Sequence, residues 1–225
     1  MDLARYDNSH YHTGGGMLRR AAWYVVNALV FDSWLVPMSA PKRLLLRWFG
    51  ATIGVGVVIK PRVNIKFPWN LKIGDHTWIG EQVWIESLVM VNIGANVCIS
   101  QGAYLLTGNH DYRDETFGLV THPITVQDSA WIGAFSIVCP GVTISRDSVL
   151  SVRSVASADT EESWVYRGSP AQKIRHRHQV TVKAALGITP SNESPAGDHT
   201  DEPAAHRMTP SWNDNSYQEY QRSDD

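Results

Sequence analysis

The chain has two cysteines, Cys98 and Cys139, among 225 residues. They fit neither a zinc spacing nor a disulfide framework, which points to a reducing cytosol. Charged residues make up only 19% of the sequence, so neither a wholly disordered chain nor a coiled coil is expected. No G-x-G-x-x-G and no G-x-x-x-x-G-K-S/T occurs, which excludes the Rossmann and P-loop modes of holding a nucleotide. Long apolar runs are missing as well. The longest, Ala21 to Pro37, is broken by Asn27, Asp32 and Ser33, too interrupted for a membrane span. Residues 1–16 are polar and glycine-bearing, unlike a secretory signal. Nor is there a basic excess: 20 Lys and Arg stand against 22 acids. Residues 185–225 hold eight of those acids and two of the bases, leaving residues 1–184 at +4. That balance suits an anionic cofactor and lacks the density of a nucleic-acid binder.

What the sequence does have is a period. Aliphatic residues recur every six positions at Ile53, Ile59, Ile65 and Leu71. After a two-residue slip they recur at Ile73, Ile79, Ile85 and Val91, and after another at Ile93, Ile99 and Leu105. Past an insertion they return at Val126, Ile132, Val138, Ile144 and Leu150. The position four further on is small or β-branched: Val57, Val63, Thr77, Val83, Val89, Val97, Ala103, Ala130, Ser136, Val142, Ser148 and Ser154, with Trp69 the exception. Across each repeat boundary the two positions are two residues apart and face one side of a strand. Each hexad thus supplies a short strand with one large and one small inward residue. Glycine often follows the aliphatic residue (Gly54, Gly74, Gly80, Gly94, Gly133), as a tight corner would require. Three hexads make a turn of 18 residues, so the pattern predicts a triangular prism of stacked coils over 51–174. A loop insertion is expected near 110–123.

The stretches RLLLRWFGATIG (43–54), PWNLKIGD (68–75), ISQGAYLLTGNHDYRD (99–114), THPITVQDSAWIGAFSIVCPGVTI (121–144) and RGSPAQKI (167–174) resemble the hexapeptide-repeat acyltransferases. Within that superfamily they are similar to the colanic acid biosynthesis acetyltransferase group. The resemblance implies an all-β fold, a left-handed parallel β-helix that assembles as a homotrimer with active sites between subunits. It implies transfer of acetyl from acetyl-CoA, without a metal, to a hydroxyl of a sugar or lipid-linked saccharide in an exopolysaccharide pathway, in the cytoplasm.

Direct attack of a hydroxyl on a thioester needs a base, dipoles for the oxyanion and alignment of both substrates. Histidine suits the first need near neutral pH. In the resembled enzymes the histidine of T-G-N-H is the base, which here is His110. Its second ring nitrogen needs an orienting partner: Asp111, Asp114, Glu115 or a backbone carbonyl. Asn109 would position the acceptor or the histidine. Trp131 matches a tryptophan that flanks the pantetheine arm in similar enzymes. Gly133, Ala134, Ser151 and Val152 would line the groove through exposed backbone groups, and Ser157 and Arg175 would meet the nucleotide. Two departures stand out. Many relatives carry Thr-Lys where this chain has Ser157 and Ala158, so Arg153, Lys173 or Arg175 would have to replace that lysine. His122 stands where the group more often has a small residue.

The ends add two expectations. Residues 17–49 read as a helix to about Leu35, a break at Pro37 and Pro41, and a short basic-aromatic helix. They would cap the open first coil, or lie at a membrane with Arg19, Arg20, Lys42, Arg43 and Arg47 toward headgroups. Residues 175–225 form a polar tail whose 185–225 portion lacks the apolar content to repay ordering. Two other functions fit the prism. A carbonic-anhydrase-like hydratase would need three histidines, for which His76, His110 and His122 are the candidates. A non-catalytic trimeric scaffold would find its support in the altered Ser157–Ala158 corner.

Overall fold

The computed structural model describes residues 2–178, so the expectation for 185–225 lies outside the described residues. Residues 51–178 form a left-handed parallel β-helix of triangular cross-section. The first coil contains β1 (Thr52–Ile53), β2 (Val58–Ile59) and β3 (Asn64–Ile65). The second contains β4 (Leu71–Ile73), β5 (Trp78–Ile79) and β6 (Trp84–Glu86). The third contains β7 (Val91–Ile93), β8 (Cys98–Ile99) and β9 (Tyr104–Leu106), and then leaves the prism as a hairpin of β10 (Gly108–His110) and β11 (Leu119–Thr121). The fourth contains β12 (Ile124–Val126), β13 (Trp131–Ile132) and β14 (Ile137–Val138). The fifth contains β15 (Thr143–Ile144), β16 (Val149–Leu150) and β17 (Val155–Ala156). An antiparallel pair, β18 (Trp164–Arg167) and β19 (Gln172–His176), closes the far end. β19 carries the ordered prism past residue 174, two residues beyond the boundary that the repeats suggest.

The aliphatic positions form the core: Ile59, Ile65, Ile79, Ile85, Ile99, Leu105, Ile132 and Leu150 are fully buried. The register aligns Ile53 with Ile73 and Ile73 with Ile93, so the first two coils take 20 residues rather than 18. Val126 aligns with Ile144, and only there is the turn 18 residues long. The two-residue slips are therefore swellings of one corner, the third of each coil, which closes β3 onto β4 and β6 onto β7. Val89 lies in one of them and is only half-buried; Ser87 takes the inward place.

The glycine directly after the aliphatic residue does not make the corner turn, although Gly56, Gly102 and Gly141 do so from two positions further on. The residue in the left-handed region lies three after the aliphatic one, for example Arg62, His76, Gln82, Asn96, Phe135 and Asp147, at φ of 55° to 59°. The glycine one after the aliphatic residue serves the approach of coils. A Cβ on Gly74 would lie 2.6 Å from the Ala95 amide nitrogen of the next coil.

The first coil is closed by α1 (Met17–Val26), a π-helical turn (Asn27–Phe31) and α2 (Ser39–Trp48). Pro41 does not break the second helix. It lies in the first turn, where no helical N–H bond is lost. Trp23, Phe31 and Leu46 plug the open core. Around them polar groups satisfy the unpaired edge of coil 1. Arg47 donates to the carbonyls of Ile53 and Gly54, Arg43 to Val57, Lys42 to Lys60 at 2.8 Å, and Trp23 Nε1 to Ile65, while Asn27 accepts from the Ile65 amide. Arg19 donates to the Phe49 carbonyl. Four of the five cations expected at headgroups, all but Arg20, thus hold the protein's own carbonyls, and Lys42, Arg43 and Arg47 do so because the first coil's edge has to be paired.

Lys42 is fully buried, and burial pushes its ammonium from 10.5 down to about 8. Between these values the unfolded chain holds a proton that the folded chain lacks, so this group makes stability rise with pH in that window and adds nothing further below it. Relative to Lys42→Met, wild-type stability should climb from pH 8 to 10.5 by at most ~1.4 kcal/mol per pH unit. Urea midpoints across that range check it; parallel profiles would show a lysine that titrates normally.

Candidate active site

The site grows from the swollen third corner. Ser87 and Thr107 stack there, fully buried. Ser87 Oγ donates to the Phe67 carbonyl and accepts from its amide, and Thr107 Oγ1 accepts from the Leu88 amide and donates to the Glu86 carbonyl. These hydroxyls supply bonds that a regular corner would make from backbone alone. In the third coil the swelling becomes the β10–β11 hairpin, with His110 opposite Leu119. The hairpin starts at Gly108, slightly before the insertion expected near 110–123.

His110 is held on two sides. Its ring stacks on Phe117 at 4.3 Å and 4° between planes. Its Nδ1 lies 3.0 Å from the Phe117 carbonyl oxygen. A carbonyl only accepts, so Nδ1 carries a proton, and in the neutral ring Nε2 is the acceptor. Phe117 reaches this position with φ at +51°, costly for an aromatic residue, and the loop holds it there through the hydrogen bond that its amide donates to the Asp114 carbonyl.

Of the orienting partners considered, the backbone carbonyl is therefore the one in place. Asp111 binds the Arg113 amide and side chain. Asp114 accepts from the Thr116 hydroxyl and amide, which hold its carboxyl below the ordinary value. Glu115 pairs with Arg5 at 2.6 Å. All three carboxylates shape the loop; none is bonded to His110. Asn109 accepts from the His110 amide and lines the same cleft.

That cleft, about 480 Å³, is bounded by His110, Asn109, Glu86, Lys66, Tyr6 and Tyr11 among others. Part of its wall comes from the N-terminal arm, which straps across the hairpin. The Asp2 amide donates to the Glu115 carbonyl, His10 Nε2 binds the Leu119 carbonyl, and Tyr11 Oη donates to the Leu88 carbonyl. Tyr6 meets the His110 ring edge-on at 5.8 Å. Burial, with the Glu86 carboxylate nearby, pushes the Tyr11 phenol up to about 12, so it stays a hydrogen-bond donor. Sequence reasoning missed Tyr6, Tyr11, Lys66 and Glu86. The arm has no periodicity to betray its path, but Glu86 lies in a swollen corner that the two-residue slip already marked.

The residues expected at the donor lie elsewhere on the chain. Trp131, on β13, is 39% exposed and donates from Nε1 to Ser100 Oγ at 2.9 Å. Ala134 and Val152 occupy the second corner of successive coils, and their amides find no acceptor among the described residues. Gly133 and Ser151 do not expose theirs: Gly133 donates to the Leu150 carbonyl and Ser151 to Tyr166. A Cβ at Gly133 would fall 2.6 Å from the Val152 nitrogen, so this glycine is needed for stacking. Arg175 lies on β19, in the same sheet as Trp131 and three strand spacings away, roughly 14 Å. Ser157 is exposed at the third corner and does not join the Trp131 group. An exposed indole with free amides along one edge fits a linear, amide-bearing arm.

The three histidines considered for a metal do not converge. His76 is an exposed first-corner residue, while His122 is at the base of the hairpin, its amide on the Thr107 carbonyl. Among the described residues no group of three His, Cys, Asp or Glu side chains is placed to hold a metal.

No protein-family model matches the chain. The chain is similar to the colanic acid biosynthesis acetyltransferase WcaF of Escherichia coli (strain K12), with 36% identity over 176 residues, 78% of this chain and 97% of WcaF. The galactoside O-acetyltransferase of the same organism is 29% identical over 143 residues, 62% of this chain and 70% of that protein. Among solved structures, the hexapeptide-repeat acetyltransferase VCA0836 of Vibrio cholerae superposes with a TM-score of 0.66 at 26% identity, over 72% of this chain and 92% of that one. The same enzyme complexed with acetyl-coenzyme A gives 0.67 at 24% identity, over 80% and 100%. Given 36% identity across nearly the whole of WcaF, and a prism of the same kind, the chain belongs to the colanic acid biosynthesis acetyltransferase family of hexapeptide-repeat enzymes.

Proposed function

We propose that this protein transfers the acetyl group of acetyl-CoA directly to a sugar hydroxyl of an exopolysaccharide precursor, free or lipid-linked, with His110 as general base. The observation that carries the reading is the imidazole fixed through Nδ1 by the Phe117 carbonyl, with Nε2 as the basic nitrogen in a polar cleft. The sugar acceptor is supported by the galactoside O-acetyltransferase likeness, and the donor by the acetyl-CoA complex of VCA0836. Acetyl-CoA supplies an acyl group already activated as a thioester, so no serine or cysteine nucleophile is needed. His110 Nε2 takes the proton of the attacking hydroxyl as its oxygen bonds to the acyl carbon, and as imidazolium returns that proton to the departing sulfur. The Phe117 carbonyl and ring hold the imidazole in both states. Asn109, Glu86, Tyr6 and Tyr11 offer the hydrogen bonds and aromatic surface that a sugar would use. Trp131, Ala134 and Val152 would seat the pantetheine arm, with Gly133 and Ser151 beneath it. Arg153, at the corner beside Val152, or Arg175, on β19, would meet the nucleotide phosphates. Ser157 would take part only from a neighbouring copy. The two free cysteines accord with a cytoplasmic setting.

Base and donor groove lie at different corners of one chain, separated by a prism face of five or six residues, roughly 17 Å. A working site then needs the third corner of one copy against the second corner of the next, as in a trimer.

His110→Ala should lower turnover ~10²-fold or more and leave CoA binding by calorimetry nearly unchanged. Unaltered turnover would remove the base assignment, and the absence of saturable heat from CoA would favour an inert scaffold. Co-expressing His110→Ala with Ala134→Trp, which obstructs the groove, should give about a quarter of wild-type activity from two inactive chains. No recovery would place both halves of the site in one chain. Phe117→Gly keeps the backbone conformation and the carbonyl but removes the stacked ring; kcat should drop ~10-fold with the KM for acetyl-CoA unchanged. A steady-state comparison showing an altered donor KM instead would argue that the ring serves the donor.

A further inference from the structure

The outer side of the end cap runs against the usual pattern for a surface helix. α1 turns Trp23 and Val26 toward the prism, and Asn27 and Val30 of the π turn follow them. The opposite stripe is Leu18, Ala21, Ala22, Val25, Ala28 and Leu29, spaced by threes and fours, all exposed and none charged. Leu18 is 86% exposed. The link to α2 adds Trp34 and Leu35, the latter 76% exposed, and α2 adds Leu44 and Trp48, the latter 72% exposed. Single exposed leucines need no explanation, but a continuous apolar surface does.

The charge of this element points to what would cover it. Residues 17–49 contain Arg19, Arg20, Lys42, Arg43 and Arg47 against the single acid Asp32. Those of the cations that bind carbonyls neutralise no charge there, and Asp32 is itself 4.0 Å from Arg62. That uncompensated charge lies behind the apolar stripe, where it would repel the cap of a second copy and attract an anionic bilayer. Tyr24, Trp34 and Trp48 are residue types that favour the boundary between headgroups and hydrocarbon. No helix among the described residues is long and apolar enough to cross a membrane, so the face would lie in the interface.

We propose that the cap face formed by α1, the 32–38 link and α2 docks on an anionic lipid surface. The inference does not depend on the acetyl-transfer reading. Co-sedimentation of the full chain with phosphatidylglycerol-containing vesicles tests it, with phosphatidylcholine vesicles as the comparison. Binding should be stronger to the anionic vesicles and weaken with salt. Leu29→Glu/Leu35→Glu should lower vesicle partition ~10-fold or more. Both positions are exposed, and an unchanged thermal transition would show that the prism is intact. Leu18→Gln, a milder change on the same stripe, should lower partition in the same direction and guards against misfolding of the double variant. Failure of wild type to sediment with anionic vesicles, or equal partition of the variants, overturns the proposal. A change of oligomeric state in the variants without lipid, read by light scattering, would assign the face to a protein contact instead.

Discussion

In-register stacking of each coil on the next is the constraint from which the rest follows. Ile53, Ile73 and Ile93 must align, as must Val126 and Ile144, or the inward residues lose their column. Extra residues can therefore leave the prism only at a corner. The first and second corners are fixed by a residue in the left-handed region and tolerate no addition. The third corner of the first three coils uses hydroxyl-backed irregular turns, and it is there that the chain swells by two residues, again by two, and then by a whole hairpin. His110 inherits its position from this series. Both ends of the hairpin are clamped by coils paired above and below it, so the imidazole is presented from a loop with rigid roots.

The same stacking explains the inverted amphipathicity of the cap. A first coil has no coil before it, and its carbonyls would otherwise be stranded at the edge of a buried core. α2 meets them with Ser39, Lys42, Arg43 and Arg47. Polar residues thus occupy the inner side of this helix, and Leu44 and Trp48 are displaced to the outer side. Lys42 shows the cost of the arrangement: its ammonium is buried against a carbonyl and the Phe31 ring, far from water.

The prism was legible from the sequence because its core repeats at a fixed spacing, and stacking makes every repeat obey the same rule. The role of the corner residues was not. Glycine at the position after the aliphatic residue suggested the turn itself, yet the turn belongs to Arg62, His76 or Phe135, residue types that do not announce a left-handed conformation. His110 stood out because the period stops beside it. Its partner did not, since a backbone carbonyl leaves no trace in residue identity, and three nearby carboxylates competed for the role. Tyr6 and Tyr11 were invisible for another reason: the arm's course over the hairpin is set by scattered single hydrogen bonds, with no repeat behind them.

The arm also joins two regions that the repeat keeps apart. It leaves the cap at Met17, passes Trp69, whose indole donates to the Thr13 carbonyl at 2.6 Å, and ends over the hairpin at Glu115. The third coil is two strand spacings from the first, so the cleft stands roughly 10 Å along the prism from the cap. The outer face of the cap is a further helix diameter away, about 10 Å. With the cap docked as proposed, a lipid-linked saccharide would have to extend roughly 20 Å from the bilayer to reach His110. Cap and cleft face the same problem of reach, and the arm that braces one against the other is built from residues 2–16.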